Sequence, residues 1–280
     1  MDTDDSSRQI AHIAIFTDLD GTLLSETSYE PGPALPVLKK CQESNIPVVF
    51  CSSKTAAEIT YTRKTLGNTD PFIVENGGAI YIPKGNLPVT DVTVRHTENF
   101  YVIEIGNPVA SLRKALKSAA KKAGAKVRGM GEMSVEEVCK LTGLGRPQAK
   151  MAMERQFDEP FILDSGNPER LEREIRQLGY SITKGGRFFH ILGGNDKGKA
   201  AKILSSIYKT LLPDLHTIGI GDAENDIPLL RAVDCAFLVK KPSGKWEKLP
   251  SLPNLTKIDL VGPQGWAKAV SHILDEAGYE

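Results

Sequence analysis

Apolar positions along the chain gather into short continuous runs, separated by longer stretches with helical spacing. Residues 10–16 (IAHIAIF) are such a run, closed by Thr17 and Asp18, and read as a buried strand bounded by turn residues. Residues 33–44 place Leu35, Leu38 and Cys41 at helical intervals behind prolines that suit a first helical turn. A second run at 47–51 (PVVFC), a helix over 55–66 and short strands at 72–74 and 79–82 follow, the last two flanking the turn Glu75-Asn76-Gly77-Gly78. Strand, helix, strand, helix, strand is the rhythm of a parallel sheet with right-handed crossovers.

After Pro83 the texture changes. Residues 84–97 are polar and turn-rich; a strand over 100–105 and a Lys/Ala-rich amphipathic helix over 108–123 come next. Ser134 with Glu137 three residues on forms a capping-box pattern for a helix over 134–141, and 147–154 reads as another. Strands are expected at 157–163, 180–183 and 187–192, with a helix over 168–178. The earlier rhythm then resumes: helix 197–212, strand 217–220, helix 227–232, strand 236–239 and a closing helix over 265–277 carrying Trp266, Val270 and Ile273. The pattern predicts an α/β fold with a doubly wound parallel-sheet core from residues 1–83 and 191–280, and an α+β unit over 84–190 inserted between its halves.

Composition narrows the function classes. The 280 residues carry 35 Lys+Arg against 35 Asp+Glu, so the basic footprint of a general nucleic-acid binder is missing. No apolar run approaches the ~20 residues that cross a bilayer, and the aspartate-rich residues 1–7 are the wrong start for a secretory leader. Cys41, Cys51, Cys139 and Cys235 show no CxxC pairing, which suits buried thiols in a reducing cytoplasm. The five histidines make no zinc-type pair. A soluble cytoplasmic protein without nucleic-acid or membrane partners is expected.

Chemistry concentrates where strands end. Asp18-Leu19-Asp20-Gly21-Thr22 follows the first strand, at the sheet edge where open α/β folds bind ligands. Gly221-Asp222-Ala223-Glu224-Asn225-Asp226 follows a later strand, with Asp222 and Asp226 one helical turn apart. One of these carboxylates could serve as a helix cap, which leaves the others unexplained. Hard oxygen donors on two strand ends suit Mg²⁺, which keeps waters and substrate phosphate beside one or two carboxylates. Ser52, ending the second strand, offers a hydroxyl and the amides entering a helix, a ready anion site. Lys197 opens a helix after Gly193-Gly194-Asn195-Asp196 and could meet a phosphate near the same edge. Residues 193–200 (GGNDKGKA) come one position from a nucleotide-binding P-loop, but Ala200 stands where a metal-binding hydroxyl is needed.

TDLDGTLL, CSSKT, GGNDKGKA and GIGDAENDIPLL together resemble, in order and spacing, the four motifs of haloacid-dehalogenase-type phosphatases, over nearly the whole chain. The inserted unit resembles the α/β cap of the subclass that carries it between the second and third motifs. SSKTAAEI, VENGGAIYIP, ERQFDEPF and GRFFHILGGNDKGKA are similar to segments of the subfamily that dephosphorylates mannosyl-3-phosphoglycerate. The resemblance implies Asp18 as nucleophile and Asp20 as general acid and base, with Ser52 and Lys197 holding the phosphoryl group. It implies Mg²⁺ held by Asp18, the Asp20 carbonyl, Asp222 and Asp226, and Asn225 steadying Lys197 or the metal shell. Substrate contacts are expected from Ser53, Lys54, Asn76, Arg187 and His190, with Glu75, Arg155, Asp158 and Glu159 as weaker candidates. Lys54 stands where many relatives carry an arginine, and a lysine gives up bidentate anion recognition. The implied partners are a small sugar-phosphate substrate and a mannosyl-3-phosphoglycerate synthase acting upstream. Other sugar-phosphate phosphatases, among them those for glucosyl-3-phosphoglycerate and sucrose phosphate, a phosphomannomutase-like activity and an inactive sugar-phosphate sensor stay open as alternatives.

Overall fold

The computed structural model describes residues 12–90, 92–185 and 187–279. Positions 10 and 11 of the first expected strand, and residues 1–7, lie outside them. In chain order the strands are β1 (Ile13–Thr17), β2 (Val48–Cys51), β3 (Phe72–Val74), β4 (Ala79–Pro83), β5 (Arg95–His96), β6 (Phe100–Glu104) and β7 (Lys126–Gly129). β8 (Asp158–Ser165), β9 (Ser181–Gly185), β10 (Phe188–Leu192), β11 (His216–Gly221), β12 (Cys235–Lys240) and β13 (Leu255–Val261) complete them. The α-helices are α1 (Ala34–Glu43), α2 (Ala56–Leu66), α3 (Val109–Ala123), α4 (Val135–Thr142), α5 (Arg146–Met153), α6 (Pro168–Gln177), α7 (Lys197–Lys209), α8 (Ile227–Ala232) and α9 (Gly262–Glu276).

The main sheet runs β13-β12-β11-β1-β2-β3-β4-β6-β5, parallel from β13 to β3 and antiparallel beyond. All five residues of β1 are buried, as a strand covered on both faces requires. Its side chains divide with period two. Ile13 and Ile15 join the core under α1 and α9 with Leu38 and Trp266, while Ala14 and Phe16 join the opposite core with Leu204 and Leu229. The chain winds from β1 through β2 to β3 on one side, then returns to lay β11 against the other flank of β1. The switch point of the sheet therefore lies between β1 and β11, where a ligand crevice is expected.

The second sheet, β7-β8-β10-β9, is antiparallel. Phe161 and Ile191 pack beneath α3 and α6 on one face; Ile162 and Phe188 meet Met130, Val138 and Ala149 on the other. Ser134 caps α4 with Glu137 in the expected capping box.

Two boundaries differ from those expected at 83/84 and 190/191. β6 pairs antiparallel with β4, and β5 with β6, so residues 95–104 extend the main sheet. Their polarity is that of an edge, where both residues of β5 are exposed. β10 belongs to the second sheet through Leu192. The crossings between the units are residues 105–108, where Ile105 and Gly106 both donate to the Gly78 carbonyl at 2.9 Å, and 193–196. β5, β7 and β13 were missing from the expected elements: they are short or mostly exposed and show no apolar run. Among the described residues no helix is long and apolar enough to cross a membrane. The four cysteines are free; Cys41 and Cys51 are buried, whereas Cys139 and Cys235 are only half-buried.

Candidate active site

The first carboxylate stands directly beyond β1. The Asp18 amide donates to the Ile220 carbonyl at 2.9 Å, tying the end of β1 to β11. Thr17 Oγ1 donates to the Asp18 carbonyl and accepts from the indole nitrogen of buried Trp266, which stiffens this strand end from below. The chain then turns sharply, with Gly21 at φ 84° and its amide bonded to the Leu24 carbonyl. That conformation favours glycine. A side chain here would also press on the Asp222 carboxylate, so the bare Cα lets the two strand ends approach.

Asp18, Asp222 and Asp226 each offer a carboxylate oxygen to one point, all within 4.8 Å of one another. Lys197 is wholly buried and donates at 2.6 Å to both Asp18 Oδ1 and Asp226 Oδ1. Asp226 Oδ2 accepts the amides of Asp222 and Ala223, both at 3.0 Å, and Asp222 Oδ1 accepts from Thr22 Oγ1 at 2.9 Å. Three carboxylates against one ammonium leave two negative charges in a buried pocket. Burial pushes the Asp18 carboxyl up to about 7, with Asp226 adding to the rise and Lys197 opposing it. Burial and the neighbouring Asp226 and Asp18 likewise hold Asp222 well above the usual range. Burial works against the Lys197 ammonium, but Asp18 and Asp226 outweigh it and raise its pKa. This donor set fits a divalent cation in charge and in hardness. Among the described residues, the side-chain hydrogen bonds of Asp18 and Asp222 fall on Oδ1.

Asp20 sits two residues on, with its Oδ2 2.7 Å from Lys54 Nζ. Its Oδ1 is buried with no hydrogen-bond partner among the described residues. Lys54 also lies 3.8 Å from Glu58 and 5.0 Å over the Tyr29 ring. Burial disfavours its charge, yet Asp20 and Glu58 prevail and its pKa goes up. Ser52 is buried at the end of β2, its hydroxyl accepting from the Lys54 amide. The Ser53 carbonyl takes a 2.6 Å bond from Arg155 of the second unit. Arg187 is exposed and donates to the Leu141 carbonyl, while its charge is felt at Tyr29.

A second buried cluster joins the two units. Asp158 and His190 lie on the face of the second sheet opposite α3 and α6, and His190 Nδ1 is 2.8 Å from Asp158 Oδ2. Asn76, at φ 55°, donates to Asp158 Oδ2 at 2.9 Å and accepts from Asn225 at 3.1 Å. Asn225 thus steadies Asn76, and among the described residues it makes no hydrogen bond to Lys197, one of the two roles expected for it. Glu75 accepts the amides of Gln156 and Phe157. Glu159, expected near substrate, falls on the opposite face by the alternation of β8 and binds Arg113 and the Gly131 amide instead. Asp196 caps α7 through the Lys199 amide, and Lys199 bonds the Gly194 carbonyl, which replaces the phosphate cradle weighed for residues 193–200.

The family model for haloacid dehalogenase-like hydrolases matches residues 15–121. A glucosyl-3-phosphoglycerate/mannosyl-3-phosphoglycerate phosphatase of Methanococcoides burtonii is 41% identical over 262 residues, 93% of this chain and 96% of its own. This chain belongs to the haloacid dehalogenase-like hydrolases. Mannosyl-3-phosphoglycerate phosphatase of Pyrococcus furiosus is 40% identical over 80% of this chain and 90% of its own. In fold, the hydrolase is similar to a phosphatase of the haloalkanoate (HAD) superfamily from Bacteroides thetaiotaomicron, with TM-score 0.65, 18% identity and coverage of 99% and 98%.

Several residues of this hydrolase's site carry little signal of their own in sequence. Thr22 reads as a turn residue, Tyr29 as a loop residue and Asn195 as part of a glycine-rich linker. Yet Thr22 orients Asp222, and Asn195 donates to the carbonyls of Glu75 and Asn76. Thr22 and Asn195 had only a pointer, their places inside the DLDGT and GGNDKGKA motifs.

Proposed function

We propose that this hydrolase is a Mg²⁺-dependent phosphomonoesterase that removes the phosphate of mannosyl-3-phosphoglycerate through an aspartyl-phosphate at Asp18. One observation carries the reading: a buried carboxylate at the switch point, bonded to a buried ammonium and packed against two further carboxylates. Asp18, the Asp20 carbonyl and Asp222 would hold Mg²⁺, with Asp226 reached directly or through water. Bound there, the ion supplies the positive charge that lets a carboxylate meet an anionic phosphate.

The remaining chemistry belongs to the chain. Asp18 attacks phosphorus and the phosphorus–oxygen bond to the glycerate breaks, while Asp20 gives the departing oxygen a proton. Asp20 then takes a proton from the water that attacks the acyl phosphate, releasing inorganic phosphate and restoring Asp18. The orphaned Asp20 Oδ1 suits that exchange. Lys197 and the Ser52 hydroxyl hold phosphoryl oxygens, with Ser53 beside them. Lys54 and Arg187 face the glycerate carboxylate, and His190, Asn76 and Asn225 the sugar. The second unit acts as the cap that closes over the site and excludes water. A mannosyl-3-phosphoglycerate synthase in the same cytoplasm supplies the substrate.

Glucosyl-3-phosphoglycerate is the second substrate to weigh, because the names of the relatives from Methanococcoides burtonii and Persephonella marina carry both sugars. A phosphate-release screen over sugar phosphates, with and without Mg²⁺, tests the reading. The two phosphoglycerates should rank first by kcat/KM, and only with the metal. Another sugar phosphate ahead by about tenfold, a difference of ~1.4 kcal/mol in transition-state stabilisation, would overturn the substrate.

A further inference from the structure

The Asp158 carboxylate is wholly buried, yet it belongs to no part of the chemistry at Asp18. Three groups with protons to give converge on it: Asn76 Nδ2 at 2.9 Å, His190 Nδ1 at 2.8 Å and the Arg155 guanidinium at 3.8 Å. An acceptor shared by an amide nitrogen and a ring nitrogen is a carboxylate that takes a hydrogen from each. His190 Nδ1 therefore carries a hydrogen, and with the ring neutral that tautomer offers Nε2 as an acceptor. That nitrogen points toward Gly185, where an added Cβ would stand 3.5 Å from His190 Nε2 and 3.6 Å from Asn225 Nδ2. Asn225 itself is held by Asn76, which Asp158 holds. One carboxylate thus sets a ring nitrogen from the second unit and a donor from the loop before Asp226 beside a single glycine.

We propose that Asp158 is a positioning residue for the part of the substrate beyond the phosphate: through His190 and Asn76 it fixes one polar edge to which both units contribute. The proposal rests on the reading above that the sugar and glycerate lie between the units. His190 Nε2 accepts from a substrate hydroxyl, and Asn225 Nδ2 donates to a neighbouring substrate oxygen. Gly185, which ends β9 outside the left-handed region, keeps the space between them clear.

The test compares two esters on the full-length enzyme with Mg²⁺. One is mannosyl-3-phosphoglycerate; the other is p-nitrophenyl phosphate, which brings a phosphate but no hydroxyls to that edge. If the wild type prefers another sugar phosphate, the substrate reading fails on that result alone, and the preferred ester takes its place. Asp158→Asn should raise KM for the sugar ester about tenfold more than for the aryl ester, the scale of a lost charge-assisted hydrogen bond. Asp158→Asn combined with His190→Ala should cost less than the product of the two single losses, because part of the effect of the carboxylate passes through the ring. Gly185→Ala leaves the buried network intact and should show the same preference for harming the sugar ester. Equal losses on both esters, independent losses multiplying in the double variant, or a silent Gly185→Ala would each overturn the proposal.

Discussion

Two clusters of buried charge lie side by side in this hydrolase, and they are completed differently. At the end of β1, Asp18 and Asp226 share one ammonium with Asp222 beside them, and among the described residues the side-chain hydrogen bonds of Asp18 and Asp222 use Oδ1 alone. At the seam, Asp158 and Glu75 each collect two or more donors, and Arg155 lies among Glu58, Asp158 and the Ser53 carbonyl. A buried charge without its full complement of partners is costly, and such a deficit is kept where a ligand is to supply the remainder. The satisfied cluster holds shape; the unsatisfied one is reactive.

The sharpest break between them is expected at Asp18. Asp18→Asn removes the nucleophile but keeps the volume, and turnover should fall by about 10⁴-fold or more with the melting curve preserved. Near-full activity of that variant with Mg²⁺ would erase the distinction. Lys197→Met should cost both activity and stability, because two carboxylates lose a shared buried cation. Such a break costs roughly 3–5 kcal/mol, and urea titrations should show a smaller loss with Mg²⁺ than with a chelator.

Smaller effects test the seam. Gly77 has φ 84°, and a Cβ there would run into the Asp196 carbonyl at the crossing between units. Gly77→Ala should therefore destabilise by about 1–3 kcal/mol. Glu75 is pushed up from 4.5 to about 7 by burial, with Asp158 adding and Arg155 opposing. Because the folded state binds its proton more tightly than the unfolded chain, its contribution is most favourable below pH 4.5 and is lost as pH rises through 7. Melts across that window should fall with pH more steeply in the wild type than in Glu75→Gln. The smallest effect belongs to the exposed Arg128–Asp164 pair, where Arg128→Ala should leave melting and turnover unchanged.

How much of this was legible in the chain follows the same division. Asp18, Asp20, Asp222 and Asp226 stand at the ends of largely apolar strands, so β1 and β11 announced both the sheet and its edge. Lys197 was visible as a helix-opening residue, but its burial between two carboxylates depends on β1 and β11 being neighbours. The seam was far less readable. His190 and Asn76 were candidates without partners, because Asp158, 32 residues from His190 and 82 from Asn76, meets them only after the second sheet has folded. Residues 95–104 were placed with the inserted unit although they extend the main sheet, since the exposed edge at β5 and the polar stretch before β6 have the texture of a surface insertion.

The most direct measurement is a borohydride trap during turnover. Reduction converts an acyl phosphate on aspartate to the corresponding alcohol, which peptide mass mapping locates. With Mg²⁺ and mannosyl-3-phosphoglycerate the modified residue should be Asp18 and no other carboxylate. Turnover with the mark on a different residue, or with none at all, would contradict the account.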